Sequence, residues 1–156
     1  GRGAQATVRQ STIAGSRGHG IYAIHGATVD VRRSTVRRNR AGGLYGKDAE
    51  VIAVNNFIAG NGRPATSLPT QTGPSGDGGI RLEEGNHLRS VTGHIEHNTV
   101  VDNYGDRDAG AAGIVCIEPA SMTMRNNLVA HNTVDPPNQS PEIPAITAQV
   151  AGTYSW

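Results

Sequence analysis

A short motif recurs five times along the chain and constrains its fold more than any other feature of the sequence. Each copy is a small polar residue, one spacer and an aliphatic residue, and another small polar residue follows three positions later. Consecutive copies lie 23, 22, 42 and 29 residues apart, a self-similarity that indicates a repeat protein. The copies are Ser11-Thr12-Ile13, Ser34-Thr35-Val36, Asn56-Phe57-Ile58, Asn98-Thr99-Val100 and Asn127-Leu128-Val129, with Ser16, Asn39, Asn61, Asn103 and Asn132 as the following polar residues.

Between these motifs, apolar and polar side chains alternate over short runs such as Val29-Asp30-Val31 and Ile80-Arg81-Leu82. This alternation predicts short strands, and the spacing typical of helices is absent. Three short strands per repeat cannot bury an apolar face alone, but repeats stacked with strands about 4.8 Å apart enclose a continuous core. The sequence therefore predicts an all-β parallel β-helix solenoid of about five coils of 22 to 23 residues, with residues 1–156 as a single domain.

The recurring asparagines are expected at the bends between strands. Asparagine tolerates the left-handed backbone conformation, and its side chain can bond to an asparagine stacked above it, so we interpret these residues as a structural ladder. A second anchor, a small residue followed by an aliphatic one, marks another strand whose aliphatic side chains point inward. It recurs as Gly20-Ile21, Gly43-Leu44, Gly79-Ile80, Gly113-Ile114 and Ala145-Ile146.

Over roughly residues 6–150, the Asn-x-aliphatic-x-x-Asn pattern followed by Gly-Ile resembles the right-handed parallel β-helix repeat of the pectate lyase-like superfamily. The resemblance implies a right-handed solenoid with the Gly-Ile strands in the first sheet, the Val-x-Val strands in the second and the Thr-Ile strands in the third. It leaves the activity open, since that superfamily includes lyases, glycoside hydrolases, epimerases, phage tailspikes and noncatalytic surface proteins. We expect an extracellular or cell-surface domain of a longer protein, whose uncapped coil ends contact the rest of that chain or another copy.

Extra length is concentrated at one turn, in insertions at about residues 62–78, 104–112 and 133–144. In a solenoid these insertions stack along one edge and form a wall beside the outer face of the first sheet. In enzymes of the superfamily that the sequence resembles, this face carries the catalytic cleft. Strand alternation points two rows of side chains outward on this face. The rows are Tyr22, Tyr45, Arg81, Val115 and Thr147, and beside them Ile24, Lys47, Glu83, Ile117 and Gln149.

Aromatic rings beside an arginine and a lysine form a platform for a sugar, with positive charge for a uronate carboxylate. We predict Tyr22, Tyr45 and Arg81 as substrate-binding residues. If the protein is a lyase, Arg81 neutralises the uronate while Tyr45 or Lys47 removes the adjacent proton. If it is a hydrolase, Glu83 is a catalytic carboxylate. The alternative is a tiled surface in which Lys47 pairs with Glu83.

The next position along these strands carries acidic residues on three coils, Asp48, Glu84 and Glu118. Stacked carboxylates repel one another unless a cation or a proton compensates them. Carboxylate oxygens suit Ca²⁺, so these residues are candidate calcium ligands, and no other cofactor is required. Three loop acids could add to the site: Asp77, Asp106 and Asp108.

The formal net charge of +1 excludes polyanion binding by bulk charge alone. Basic residues nevertheless concentrate in residues 1–40, which hold eight arginines and one aspartate. A cluster at one bend could grip an anionic polysaccharide or nucleic acid, and the lack of aromatic partners within it argues against nucleic acid. The clustered residues are Arg32, Arg33, Arg37, Arg38 and Arg40. No apolar run reaches the length of about 20 residues that a membrane span needs.

Two functions of different classes fit this sequence. One is a carbohydrate-active or carbohydrate-binding β-helix acting on an acidic, uronate-type polysaccharide through the outer face of the first sheet. The other is a noncatalytic structural or adhesin repeat domain of a larger surface or secreted protein. The residue pattern leaves open whether an enzyme of this kind is a lyase, a hydrolase or an epimerase.

Overall fold

The computed structural model describes residues 3–62, 76–85, 91–105, 112–117, 121–134, 150–151 and 154–155. Within these residues the regular elements are β-strands, and paired strands run parallel to each other. Strands of successive coils stack into three long sheets, which gives the parallel β-helix that the repeat pattern predicts. Among the described residues, no helix has the length and apolarity needed to cross a membrane.

Each of the three long sheets takes one strand from each of five successive coils, and the second sheet contains a sixth strand. The second sheet contains β1 Gln5–Arg9, β4 Thr28–Arg32, β7 Glu50–Val54, β10 Thr92–Glu96, β14 Ser121–Arg125 and β18 Tyr154–Ser155. The third sheet contains β2 Thr12–Ala14, β5 Thr35–Arg37, β8 Phe57–Ala59, β11 Thr99–Val101 and β15 Leu128–Ala130. The first sheet contains β3 His19–Ile24, β6 Gly42–Lys47, β9 Ile80–Glu83, β13 Ile114–Ile117 and β17 Val150–Ala151.

A fourth, two-stranded sheet pairs β12 Tyr104–Gly105 with β16 Thr133–Val134. These short strands are the first residues of the second and third expected insertions, so both insertions leave the solenoid in register. The remainder of the insertions, at residues 63–75, 106–111 and 135–144, lies outside the described residues. Whether they wall the first sheet therefore stays a prediction.

The core is a stack of aliphatic side chains inside the coils. In the first sheet, Leu44 pairs with Ile80 and Ile80 with Ile114, and all three are buried as predicted. In the third sheet, Val36, Ile58 and Val100 stack in the same way and are fully buried. Small apolar side chains fill this narrow interior, which accounts for a chain with few large aromatic residues.

The alignment of the fifth coil differs from the expectation. Val150 pairs with Ile114, so Ala145-Ile146 is not the anchor of this strand. An aliphatic residue occurs at both places, but only Ile146 follows a small residue, so the sequence pattern favours the place that the strand does not use. The register shifts by four residues, and Ala151 rather than Thr147 is therefore in line with Val115. Residues Ile146, Thr147 and Gln149 lie outside the described residues.

Two ladders of polar side chains run along the turns on either side of the third sheet. Asn61 shows the bonding: its Oδ1 accepts from the backbone N–H of Asn39 at 3.2 Å and from the Asn39 side-chain amide at 2.9 Å. Its own side-chain amide donates to Asn103 Oδ1 at 3.0 Å and to the Val36 carbonyl at 2.9 Å. Ladder partners are 23, 22, 42 and 29 residues apart, as the motif spacing predicts.

The sequence predicts a left-handed backbone at the ladder asparagine itself. In the structure, the left-handed residue of each turn is instead the residue before the ladder residue. Asn55, with φ of 56°, precedes ladder residue Asn56, and Asp102, with φ of 54°, precedes Asn103. This arrangement has a physical reason. The left-handed residue turns the chain, and the following asparagine then points its side chain into the turn, where it bonds to the neighbouring coils.

The glycines of the first three glycine-aliphatic anchors, Gly20, Gly43 and Gly79, leave room for a ladder side chain. A Cβ atom on Gly20 would lie 2.6 Å from Asn39 Nδ2 and 2.8 Å from Val36 Cγ1. Neither neighbour can move, since both are buried and Asn39 is bonded on two sides. The two recurring sequence motifs are therefore halves of one packing arrangement.

Candidate functional site

The outer face of the first sheet brings together most of the predicted site residues. Tyr22 pairs with Tyr45 and Tyr45 with Arg81, while Lys47 pairs with Glu83 in the next row. His19 and Asp77 join them at the start of the strands. We call this group the first-sheet cluster. It consists of His19, Tyr22, Tyr45, Lys47, Asp77, Arg81 and Glu83.

Glu83 is the centre of the cluster. Its Oε1 accepts a hydrogen bond from the Tyr45 hydroxyl and lies 3.1 Å from Lys47 Nζ. Its Oε2 lies 2.9 Å from both Nε and Nη2 of Arg81, so both carboxylate oxygens are engaged. The expected ion pair between Lys47 and Glu83 is thus present, in the middle of a larger network.

Asp77 extends this network across the coils. Its Oδ1 accepts from Arg81 Nη1 at 3.1 Å, and its Oδ2 lies 2.6 Å from His19 Nε2. His19 belongs to the first coil and Asp77 to the third, with Gly42 between them. A Cβ atom on Gly42 would lie 3.1 Å from His19 Cδ2 and 3.2 Å from Asp77 Cβ. The missing side chain of Gly42 allows two residues that are not in adjacent coils to meet.

Three rings lie against each other beside the charged groups. Tyr22 stacks on Tyr45 with centroids 5.0 Å apart and an angle of 11° between the planes. The His19 ring lies 5.3 Å from Tyr22 and 4.8 Å from Tyr45. Tyr45 is buried, whereas 56% of the surface of Tyr22 is exposed. The cluster therefore presents one aromatic ring to solvent, supported from below by two others.

The environment shifts the pKa of two groups in the cluster. Burial raises the pKa of Tyr45 well above its ordinary value, and the neighbouring Glu83 carboxylate raises it further. Burial also acts to raise the pKa of Glu83, but the bonds from Tyr45, Lys47 and Arg81 outweigh this effect and lower it. Near neutral pH the pair is therefore a protonated phenol donating to an ionised carboxylate.

These protonation states limit the chemistry that the cluster can perform. Tyr45 keeps its proton, so it is better suited to donate a hydrogen bond than to act as the base of a lyase. Glu83 carries no proton to give to a leaving group. Arg81 is already paired with two carboxylates, which leaves Lys47, with 42% of its side chain exposed, as the more available cation. The geometry favours binding over proton transfer.

Val115 lies in register with Arg81, as predicted, but it is buried rather than exposed. An aliphatic side chain favours burial because contact with water is costly, whereas the charged and aromatic members of the same row remain partly accessible. The sequence pattern does not predict that His19 and Asp77 join this face. The histidine directly before Gly20-Ile21 could have been found by following the row backward, but its contact with Asp77 depends on Gly42 in the intervening coil.

The three carboxylates predicted to bind calcium are only partly described. Asp48 is 1% exposed, and its Oδ1 accepts from the Gly85 backbone N–H at 2.7 Å. Two carboxylate oxygens, Oδ2 of Asp48 and Oε2 of Glu84, are buried and have no hydrogen-bond partner among the described residues. Glu118 lies outside those residues, as do two of the loop acids, Asp106 and Asp108. The third loop acid, Asp77, binds Arg81 and His19 instead.

Two buried carboxylate oxygens without a hydrogen bond are unfavourable unless a proton, a water molecule or a cation compensates them. Asp48 and Glu84 are oxygen donors of the kind that Ca²⁺ prefers. Among the residues that the structure describes, no group of three or more His, Cys, Asp or Glu side chains could hold a metal ion. A calcium site at this place would need a further ligand, and it stays a prediction.

Over residues 1–143 the chain matches the family model described as right handed beta helix region. No curated protein matches the chain, and no solved structure matches it.

Proposed function

The chain belongs to the right-handed β-helix family, and from this premise we propose that it binds an acidic, uronate-type polysaccharide on the outer face of the first sheet. The observation that carries the proposal is the Tyr22 ring, which is half exposed and stacks on Tyr45. A flat ring held in one orientation offers a hydrophobic surface to the face of a sugar at a low cost in side-chain entropy.

The charged part of the cluster supports an acidic ligand. The row beside Tyr22 contains Lys47, whose ammonium group is partly exposed and can approach a carboxylate of the ligand. Successive coils lie about 4.8 Å apart, so a chain crossing the sheet meets a new set of side chains at each coil. Because the ions beneath are already paired, the surface that meets the ligand is fixed before binding.

A second candidate function is supported by the same network. The groups of the cluster are bonded mainly to each other, and His19 and Asp77 connect coils that are not adjacent. This favours a structural role in a noncatalytic repeat domain, in which the cluster stiffens the first three coils and no ligand is needed. The exposed Tyr22 ring distinguishes the two functions, since a purely structural network does not require it.

The test is calorimetric titration of a hexamer of galacturonate into the wild-type protein and into Tyr22→Ala. We expect binding to the wild type, and binding weaker by about tenfold or more in the variant, because an exposed aromatic contact is a typical binding hot spot. Phe57→Ala is the matched control, since Phe57 is an aromatic residue of similar exposure on the third sheet. A neutral glucose hexamer tests whether the acid groups matter.

Equal affinities in wild type and Tyr22→Ala would reject this site, and loss of affinity in Phe57→Ala would place binding on the third sheet. If uronate, neutral and branched glycans all fail to bind the wild type, the structural function is favoured. Chromatography of the same mixtures shows whether the oligosaccharide is also cleaved. A cleaved product that disappears in Lys47→Met would extend the proposal from binding to catalysis.

A further inference from the structure

A cavity lies away from the first-sheet cluster, at the turn between the second and third sheets of the first three coils. Its volume is about 340 Å³, near the lower end of the range for small-molecule sites. None of its residues belongs to the first-sheet cluster. The lining residues are Arg9, Gln10, Arg32, Arg33, Val54 and Asn55.

The three arginines make this cavity positive. Arg9 and Arg32 occupy the same register position in neighbouring coils, and Asp30 holds both: Oδ2 lies 3.3 Å from Arg9 Nη2, and Oδ1 lies 2.6 Å from Arg32 Nε. One carboxylate thus orients two guanidinium groups and cancels one of three positive charges. The remaining charge has no acidic side chain among the lining residues to balance it.

The backbone places the other polar side chains in one row. Gln10, Arg33 and Asn55 occupy the left-handed position of three successive turns, with φ values of 48°, 50° and 56°. Asparagine adopts this conformation readily, whereas arginine and glutamine do so at a cost. At two of the three positions the side chain is therefore not the one that the turn itself prefers.

The chemistry of the lining identifies the class of ligand. Arginine fits the planar or tetrahedral oxygen arrays of carboxylate and sulfate groups, and the amides of Gln10 and Asn55 can bond to hydroxyl groups. No aromatic side chain is among the lining residues, so a nucleobase would find no ring to stack on. The volume suits a unit of about one sugar rather than a lone inorganic ion.

We infer that this cavity is a second binding site, which takes an anionic sugar unit through its carboxylate or sulfate group. It is independent of the proposed site on the first sheet, because it uses other residues on another part of the surface. Arg9, Arg32 and Arg33 contact the acid group, and Gln10 and Asn55 contact the hydroxyl groups.

The test uses Arg33→Asn, which removes the charge while keeping a residue that favours the left-handed backbone, so the fold is preserved. Arg38→Asn is the matched control. Arg38 also has a left-handed backbone, with φ of 54°, and the substitution changes the net charge equally, but Arg38 does not line the cavity. Titrations use a galacturonate trimer for the carboxylate source and a sulfated chondroitin disaccharide for the sulfate source, each in a Tyr22→Ala background that weakens the first-sheet site.

We expect at least one of the two sugars to bind, with affinity falling about tenfold or more in Arg33→Asn and less than about twofold in Arg38→Asn. The sugar that binds identifies the acid group. Equal losses in both variants would show that only overall charge matters and would overturn the inference, as would failure of both sugars to bind. Tighter binding of a single-stranded oligonucleotide with the same dependence on Arg33 would also overturn it, in favour of a nucleic-acid site.

Discussion

The asparagine ladders and the first-sheet cluster both connect successive coils through polar side chains, but they are built differently. The ladders repeat small neutral residues, asparagine in most coils and serine at their N-terminal ends, and six of their seven asparagines are buried. Apart from Tyr22 and Tyr45, which lie in register on successive coils, the seven residues of the cluster change in type from coil to coil. Five of them are His, Lys, Arg, Asp or Glu, and the cluster reaches the surface at Tyr22 and Lys47. Ladder bonds join adjacent coils, whereas the His19–Asp77 contact passes over a coil.

The fold requires the ladders, whereas it is compatible with the first-sheet cluster but does not depend on it. An amide that both donates and accepts can satisfy the coil above and the coil below, so one residue type is sufficient at every level. A charged group needs a specific partner, and the partners in the cluster come from different coils with different residues. We therefore expect substitutions in the ladders to affect stability, and substitutions at the exposed edge of the cluster to affect ligand binding.

The largest effect is expected for Asn61→Ala in the middle of a ladder. The substitution removes the partner of the Asn39 backbone N–H and of the Val36 carbonyl. It also removes one of the two partners of the Asn39 side-chain amide, which keeps its bond to the Ile13 carbonyl. With each buried orphan costing about 1–3 kcal/mol, we expect a loss of about 4–6 kcal/mol in the free energy of unfolding. Urea denaturation measures it. Ser11→Ala, at the exposed end of the other ladder, should cost less than about 1 kcal/mol, and a similar cost for both variants would contradict the ladder account.

The variants Ile114→Ala and Thr12→Ala compare the stability cost of a substitution in the core with that of one on the surface. Ile114 is fully buried between coils, so its truncation should cost about 2–5 kcal/mol through lost burial and the cavity left behind. Thr12→Ala, on the exposed outer row of the third sheet, should change stability by no more than about 0.5 kcal/mol. Equal denaturation midpoints for these two variants would mean that the assignment of inward and outward residues is wrong.

Calcium addition and removal test the buried carboxylates. If Ca²⁺ binds Asp48 and Glu84, it should stabilise the fold by about 2.7 kcal/mol at a hundredfold excess over Kd. Glu84→Gln should then destabilise the calcium-loaded protein. If no cation binds, the same substitution should stabilise the fold near neutral pH, since it removes a buried charge. Melting curves of the wild type and Glu84→Gln, each with Ca²⁺ and with a chelator, separate these cases. The absence of any calcium response in both proteins would reject the predicted metal site.

The smallest effect concerns the acid stability of the cluster. The pKa of Glu83 is lowered in the folded protein, so its contribution to stability is complete above its ordinary pKa of about 4.5 and is lost as the pH falls through the folded value. Tyr45→Phe removes a hydrogen bond to the carboxylate, so the pKa of Glu83 should move up towards its ordinary value. An NMR titration of the Glu83 carboxyl carbon measures the shift.

Tyr22→Phe serves as the control for that titration, because it leaves the three donors to Glu83 in place. An unchanged pKa in Tyr45→Phe would show that Lys47 and Arg81 alone hold the carboxylate ionised.

The repeated positions could be predicted from the sequence because the same residue pattern occurs at each of them in several coils. Leu44, Ile80 and Ile114 follow the same glycine-aliphatic pattern, and their inward direction follows from strand alternation. The alignment of the fifth coil is wrong because Ala145-Ile146 fits the small-aliphatic pattern, whereas the paired residue, Val150, follows Gln149 and does not. A motif seen only once in a long insertion does not determine the register.

The candidate site was only partly predictable for a different reason. Tyr22, Tyr45, Arg81 and Glu83 share a face by strand alternation, so their proximity follows from the repeat. The contact of His19 with Asp77 depends on a further fact, the small size of Gly42 in the intervening coil. Such contacts are tertiary and leave no periodic signal in the sequence.

The most direct test of a binding face on the first sheet is amide hydrogen exchange with and without a saturating galacturonate hexamer. The experiment uses the Arg33→Asn protein, so that the cavity lined by Arg9, Arg32 and Arg33 does not contribute. We predict that the ligand slows exchange in β3, β6 and β9 and leaves the ladder turns at Asn56 and Asn61 unchanged. Protection confined to the third sheet, or no change anywhere at saturation, would contradict the account.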